Sequence, residues 1–305
     1  MDIKIKKKVH WSNILLLFSV LVIITINISV FLSAKYVKES KDDVQERYNK
    51  YIDAKETAKL VKVILNQRND FEKAYEIAKE SKIIIFNEET QNKLNNINSL
   101  SQGKKVVYLT FDDGPSRAVT PHILDILKQN NVKATFFILG TMGKYYPDLI
   151  KREYDEGHYI ANHGYSHVYS KIYENKETFL EEIEETEKVI RKALDDENYK
   201  THLFRYPGGA TGGKYNEIKQ ELKQFLSENG YGYIDWNALT RDSEGKFTKE
   251  ELIENAKKTC SGKNTVVLLM HDAGNKITTY EALNDIILYL KEEGYEFRTF
   301  YDVMK

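Results

Sequence analysis

The chain has 305 residues and a formal net charge of −1, with 41% hydrophobic and 30% charged residues. The charge is unevenly spread: residues 1–103 carry 17 Lys and Arg against 13 Asp and Glu, and the remainder carries 28 against 33. A mildly acidic main portion lacks the basic footprint of a nucleic-acid binder, and the single cysteine, Cys260, excludes an internal disulfide and a cysteine-ligated zinc site.

Residues 11–34 form a run of 24 uncharged residues rich in Ile, Leu, Val and Phe. As a helix rising about 1.5 Å per residue, the run reaches about 36 Å and crosses a hydrocarbon core of about 30 Å. Lys4, Lys6, Lys7 and Lys8 precede it. The positive-inside rule therefore predicts a cytoplasmic tail at 1–10, a single transmembrane helix at 11–34, and everything after Lys35 outside the cell. A cleaved signal peptide is the competing reading. Its apolar region is usually about 7–15 residues long, and Ser33-Ala34-Lys35 is a poor cleavage site.

All 16 Gly and all 4 Pro lie at or after Gly103, so residues 35–103 contain no chain breaker before their last position. Tyr51, Ala54, Ala58, Val61 and Ile64 recur at roughly helical spacing, which predicts a helical stalk or linker with solvated charged faces. It carries no catalytic constellation.

From residue 104 the pattern changes to short apolar runs at 106–111, 134–139, 159–162, 203–206, 231–235, 266–270 and 295–299. Amphipathic stretches at 177–194, 216–228 and 249–259 lie between them, the last opened by a Thr248-x-x-Glu251 capping box. This alternation predicts an α/β domain over 104–305, either a parallel barrel or a doubly wound sheet. In both, active groups gather at the carboxyl ends of the strands.

The polar residues stand at those ends. Run 106–111 leads into Asp112-Asp113-Gly114-Pro115. Adjacent carboxylates repel unless they share a cation or a proton, although the same four residues also make an ordinary turn. After 159–162 comes His163-Gly-Tyr-Ser-His167, two imidazoles four residues apart. With Asp113 they make a two-imidazole, one-carboxylate set with a position left for water, the pattern of a catalytic zinc site. The same ligands suit non-haem iron. His271-Asp272 follows 266–270, and a strand-end His is a candidate general acid. His158 reads as structural, and His122 and His202 as surface or packing residues.

Together these motifs resemble the polysaccharide deacetylases of carbohydrate esterase family 4, which include peptidoglycan N-acetylglucosamine deacetylases, chitin deacetylases and acetylxylan esterases. The resemblance covers about residues 105–300. It rests on Thr110-Phe-Asp-Asp-Gly114, Asn162-His-Gly-Tyr-Ser-His167, Arg205-Tyr-Pro-Gly-Gly209 and Leu268-Leu-Met-His-Asp272, in the family's order. It implies a distorted (β/α) barrel and one divalent ion, Zn2+ before Co2+ or Ni2+. Asp113, His163 and His167 would hold the ion, Asp112 would be the general base, and Arg205 would hold and tune it. His271 would be the general acid, partnered by Asp242. The backbone N–H near Gly208 would serve the oxyanion, and Tyr206, Leu269 and Trp236 would border the substrate pocket. The fourth motif departs from the family's Asp-x-x-Asp-Trp: Leu239 and Ser243 replace its first Asp and its Trp, and Asp235-Trp236-Asn237 lies just upstream.

The expected function is removal of N-acetyl groups from a cell-wall polysaccharide, N-acetylglucosamine of peptidoglycan first. N-acetylmuramic acid, poly-N-acetylglucosamine or an O-acetylated glycan come next. The rival is an inactive glycan-binding wall protein, which has no need of both a base and an acid. The partners expected are the glycan and, through the N-terminal helix, the membrane, with no nucleic acid.

Overall fold

The computed structural model describes residues 88–101 and 103–304. The predicted span at 11–34 and most of the stalk lie outside the described residues. Among the described residues, no helix is long and apolar enough to cross a membrane.

In chain order the elements are α1 (Glu88–Asn95), β1 (Val106–Asp112), α2 (Thr120–Gln129), β2 (Thr135–Ile138), α3 (Gly140–Tyr145), α4 (Pro147–Asp155), β3 (Tyr159–Asn162), α5 (Tyr169–Ile172) and α6 (Lys176–Leu194). Then follow β4 (Leu203–Phe204), α7 (Asn216–Glu228), β5 (Gly232–Tyr233), β6 (Ala238–Leu239), α8 (Lys249–Cys260), β7 (Thr265–His271), α9 (Ile277–Glu292) and β8 (Glu296–Arg298). The Thr248 capping box opens α8 as expected. A second box, Asn175 with Thr178, opens α6 one residue earlier than its apolar pattern indicates.

The strands form one parallel sheet in the order β5-β4-β3-β2-β1-β7-β6, with β8 beside the first residues of β1. Among the described residues no ladder joins β5 to β6, so the architecture is a half-barrel rather than a closed one. The run at 203–206 shortens to two paired residues as the chain turns out through Arg205-Tyr206-Pro207, Pro207 having no N–H for a ladder. The two-residue β6 carries no alternation and was not predicted.

Every residue of β1 is buried. With a period of two, Val107, Leu109 and Phe111 enter the core beneath the helices, beside Ile123, Ile150, Ile190 and Leu283. Val106 and Tyr108 enter the barrel interior with Phe137, Val267 and Phe300. Thr110 and Asp112 continue that second row, so alternation aims them into the barrel mouth.

The residues read as the end of the stalk belong to this domain. Leu94 and Leu100 are 2% and 4% exposed within the interior core. Gln91 Oε1 accepts the Tyr233 N–H at 3.1 Å, and Leu100 lies in the 3-10 turn Ile97–Ser101. These apolar side chains need partners across the sheet, which a local helical pattern does not reveal.

Candidate active site

Strand β1 ends at Asp112, and Asp113 takes a left-handed φ of 73°, a region sparsely populated by non-glycine residues. The next position must be glycine: a Cβ on Gly114 would lie 1.9 Å from Asp272 Oδ2. This close passage over Asp272 turns the chain away from the strand just beyond Asp113. Asp272 is held by Thr120, whose hydroxyl donates to Oδ2 at 2.6 Å. Burial first, then the Asp113 and Asp112 charges, push the Asp272 carboxyl up to about 7.

Asp113 Oδ1 lies 3.5 Å from His163 Nε2 and 3.4 Å from His167 Nε2. It is buried without a hydrogen-bond partner, and one ligand atom from each of the three residues lies within 4.8 Å of the others. His163 Nδ1 sits 2.8 Å from the Arg205 carbonyl. It therefore carries the proton, and Nε2 keeps its lone pair for the cluster. Burial lowers the His163 imidazole below its ordinary value, against the opposing charges of Asp112 and Asp113, so it stays neutral. An orphaned carboxylate oxygen facing two imidazole nitrogens fits a divalent cation with open coordination positions. The loop is fixed from behind by Glu182, whose Oε2 accepts the N–H groups of Tyr165 and Ser166 at 2.9 and 2.7 Å.

Beside this trio, Arg205 is fully buried and donates from Nη1 to Asp112 Oδ1 at 2.9 Å and to Thr110 Oγ1 at 2.7 Å. Its other donors reach the carbonyls of Ile234 and Asp235 at 3.1 and 3.3 Å, and its guanidinium lies 4.1 Å from the Phe137 ring centroid. A buried charge is tolerable only when paired and fully hydrogen-bonded. Here backbone carbonyls share that work. Asp112 Oδ2 remains 3.9 Å from His163 Nε2, at the edge of the trio.

Across the site, Asp112 and His271 are register partners on adjacent parallel strands and so share a face. Asp242 grips His271 twice: Oδ1 accepts from Nδ1 and Oδ2 from the backbone N–H, each at 2.8 Å. Thr279 Oγ1 donates to Oδ2 as well, at 2.8 Å. Burial alone would lower the His271 imidazole, but the bond to Asp242 and its charge outweigh it and raise the ring to about 9. For Asp242, burial is likewise outweighed by these bonds, and its carboxyl is lowered.

The loop after β4 forms the third wall. Gly208 and Gly209 have φ of 74° and 79°. Three groups clamp the loop: Tyr173 Oη donates to the Pro207 carbonyl at 2.7 Å, Lys219 Nζ to the Gly209 carbonyl at 2.7 Å, and the Ala210 N–H reaches Asp235 Oδ1 at 3.0 Å. The Gly208 N–H donates to none of the described residues.

Tyr206 was expected at the pocket and is not there. It is fully buried among Phe179, Phe204, Tyr173 and Tyr233 on the helix side, because alternation along 203–206 sends it opposite to Arg205. Leu269 is 5% exposed and lies two residues before His271, on the same face of β7. Trp236 is half-buried, and its Cη2 would touch a Cβ on Gly209 at 3.4 Å. Leu239 pairs through its backbone N–H and carbonyl with Thr259 Oγ1, and Ser243 is exposed.

Among the other histidines, His158 is fully buried, accepts the Ala134 N–H at Nδ1, and is lowered to about 3 by burial. His122 is exposed against the Tyr280 ring, and His202 Nδ1 pairs with the Gly230 carbonyl. Glu182 and Lys219 were missed as site residues, whereas Asp235 belongs to the triplet noted upstream of the fourth motif. A signal existed for both, since helical period places Glu182 with Phe179 and Thr186, and Lys219 with Leu222 and Leu226, on buried faces.

Residues 99–232 match the family model described as polysaccharide deacetylase. A peptidoglycan-N-acetylglucosamine deacetylase of Bacillus cereus is 31% identical over 240 residues, covering 76% of this chain and 80% of that protein. The chain belongs to the polysaccharide deacetylase family. A Streptococcus mutans CE4 esterase superposes with a TM-score of 0.62 at 32% identity, covering 71% of this chain and 92% of that one. The catalytic domain of a peptidoglycan N-acetylglucosamine deacetylase from Eubacterium rectale gives 0.60 at 32% identity, covering 65% and 89%. As a deacetylase of this family, the protein is a metal-dependent hydrolase of acetyl amides on cell-wall polysaccharide, built on the parallel half-barrel that carries these structures.

Proposed function

We propose that this deacetylase removes the acetyl group from N-acetylglucosamine of peptidoglycan, with zinc at Asp113, His163 and His167. The observation that carries the reading is the unpartnered Asp113 Oδ1 facing two imidazoles, flanked by Asp112–Arg205 and His271–Asp242. A divalent ion bound there polarises the acetyl carbonyl and brings the pKa of water down toward neutrality. Asp112 accepts the proton of the attacking water. Arg205 aims its carboxylate by occupying Oδ1, which leaves Oδ2 toward the trio. The Gly208 N–H donates to the acetyl oxygen as negative charge develops on it, a contribution that grows toward the transition state.

His271, held protonated by Asp242, gives its proton to the sugar nitrogen as the C–N bond breaks. Acetate and a free glucosamine amine result. Trp236 and Leu269 border the acetyl end of the site. The carbonyls of Ile234 and Asp235 hold Arg205.

The proposed setting is the outer face of the cell membrane, with residues 1–10 cytoplasmic, 11–34 as anchor and the catalytic domain outside. The uncharged run and its lysine flank support it. Peptidoglycan is then the polymer within reach of the tether. Mass spectrometry of wall fragments from cells with and without the protein tests the substrate: acetyl groups missing from N-acetylglucosamine are expected. Loss from N-acetylmuramic acid, or unchanged acetylation, overturns that assignment. External protease on protoplasts should remove the catalytic domain, and full protection overturns the topology.

A further inference from the structure

The first residue of α5, Tyr169, stands beside the site without a role in the scheme above. Its ring centroid lies 5.4 Å from that of His167. The rings of Tyr173 and Tyr215 pack edge-on against it at 5.9 and 6.5 Å. Its hydroxyl occupies the space over Gly208, where a Cβ would come within 2.8 Å of Oη and 3.1 Å of Cε2. The residue is 38% exposed. Its Oη bonds to none of the described residues, and it lies over Gly208. A phenol is protonated at neutral pH and is both a donor and an acceptor.

The acetyl oxygen that gains charge must lie between the Asp113–His163–His167 trio and the Gly208 N–H. The phenol stands next to both boundaries of that space, against His167 on one side and Gly208 on the other. Three neighbouring rings fix its direction, so it needs little reorganisation to meet a developing charge, the condition under which such donors are most effective. We propose that Tyr169 is a second oxyanion donor, giving its O–H to the acetyl oxygen alongside the Gly208 N–H. The inference rests on the deacetylase reading and adds a catalytic residue to it. Gly208 is glycine, on this view, because a side chain there would displace the phenol.

Tyr169→Phe removes only the oxygen and keeps the ring contacts. Purified zinc-loaded parent and variant are compared for metal content, for kcat and KM on a chitooligosaccharide, and for the Kd of acetate, whose carboxylate oxygen mimics the charged acetyl oxygen. At equal metal content, kcat should fall about 10²-fold with KM within about twofold, the scale of losing one oxyanion donor. Acetate should bind several-fold more weakly. Unchanged kcat, unchanged acetate affinity, a loss confined to KM, or loss of metal from the variant each overturns the proposal. An inactive parent would instead count against the deacetylase reading, and the acetate measurement would still decide the role of Tyr169.

Discussion

On one side of the site, Asp112 and Asp242 each meet a cationic partner: Arg205 Nη1 at 2.9 Å and the raised His271 ring at 2.8 Å. On the other side, Asp113 faces two imidazoles, and its buried Oδ1 has no hydrogen-bond partner. Of these three carboxylates, Asp112 and Asp242 are paired with a cationic side chain of the protein and Asp113 is not. Neighbouring Asp272 is raised to about 7 by burial and by the Asp113 and Asp112 charges. A buried carboxylate oxygen without a partner is costly, so Asp113 Oδ1 marks a place for charge that the protein does not itself supply. Groups set for proton transfer are tuned by the protein, and groups set for binding a cation are left open.

The largest effect expected on this comparison comes from exchanging the neighbours at the end of β1. Asp112→Asn keeps the trio and should bind zinc nearly as the parent does, but turnover should fall by about 10²–10⁴-fold, as for loss of a general base. Asp113→Asn should lose metal, and added zinc should partly restore its activity. Metal content and acetate release across a zinc titration check both. A metal-rescued Asp112→Asn with a metal-replete, inactive Asp113→Asn would exchange the two roles.

Next in size is the coupling of metal to stability. Zinc at a hundred times its Kd should stabilise the domain by about 2.7 kcal/mol, seen as a rise in Tm that chelation reverses. His167→Ala should abolish the rise. His158→Ala should keep it while lowering the starting Tm, because it leaves the Ala134 N–H unpaired in the core. Equal zinc-induced shifts in His167→Ala and the parent would remove His167 from the ligand set.

On the proton side, the His271 imidazole of the metal-free domain should titrate near 9 by NMR. Since its pKa is raised on folding, its stabilising contribution is complete below about 6.5, the unfolded value, and is lost as pH rises through about 9. The metal-free domain should therefore weaken across that window. Asp242→Asn should lower the His271 value, flatten that loss and move the alkaline limb of activity to lower pH. An unchanged titration would separate Asp242 from the acid.

The smallest effect is expected at the loop clamp. Lys219→Met removes the donor to the Gly209 carbonyl and should cost about 1–3 kcal/mol, the penalty for an unsatisfied buried acceptor. A denaturant melt measures the stability, and kcat should fall less than in Asp112→Asn. A variant as stable as the parent would show that Tyr173 and Asp235 suffice to hold the loop.

The strand-end chemistry was legible in the sequence because its residues come in local packets. Asp112-Asp113-Gly114, His163 to His167 and His271-Asp272 each follow an apolar run, and a parallel sheet delivers the ends of such runs to one rim. Three things were not legible. Packing of Leu94 and Leu100 into the barrel depends on contacts with strands far along the chain. Tyr206 faces the helices because it alternates with Arg205, and the two paired residues of β4 are too few to show that period in the motif. The opening between β5 and β6 reflects two-residue strands, too short to show a period.

By itself, the sequence determined the α/β class, the kinds of groups at the site and their order along the chain, since hydrophobic period and turn residues are local properties. Only the tertiary structure decided which charges cancel. Arg205 reaches Asp112 from 93 positions away, and Asp242 reaches His271 from 29. Asp113 is left facing two imidazoles, because hydrogen bonds and ion pairs follow distance in space, which the barrel sets and the chain order does not.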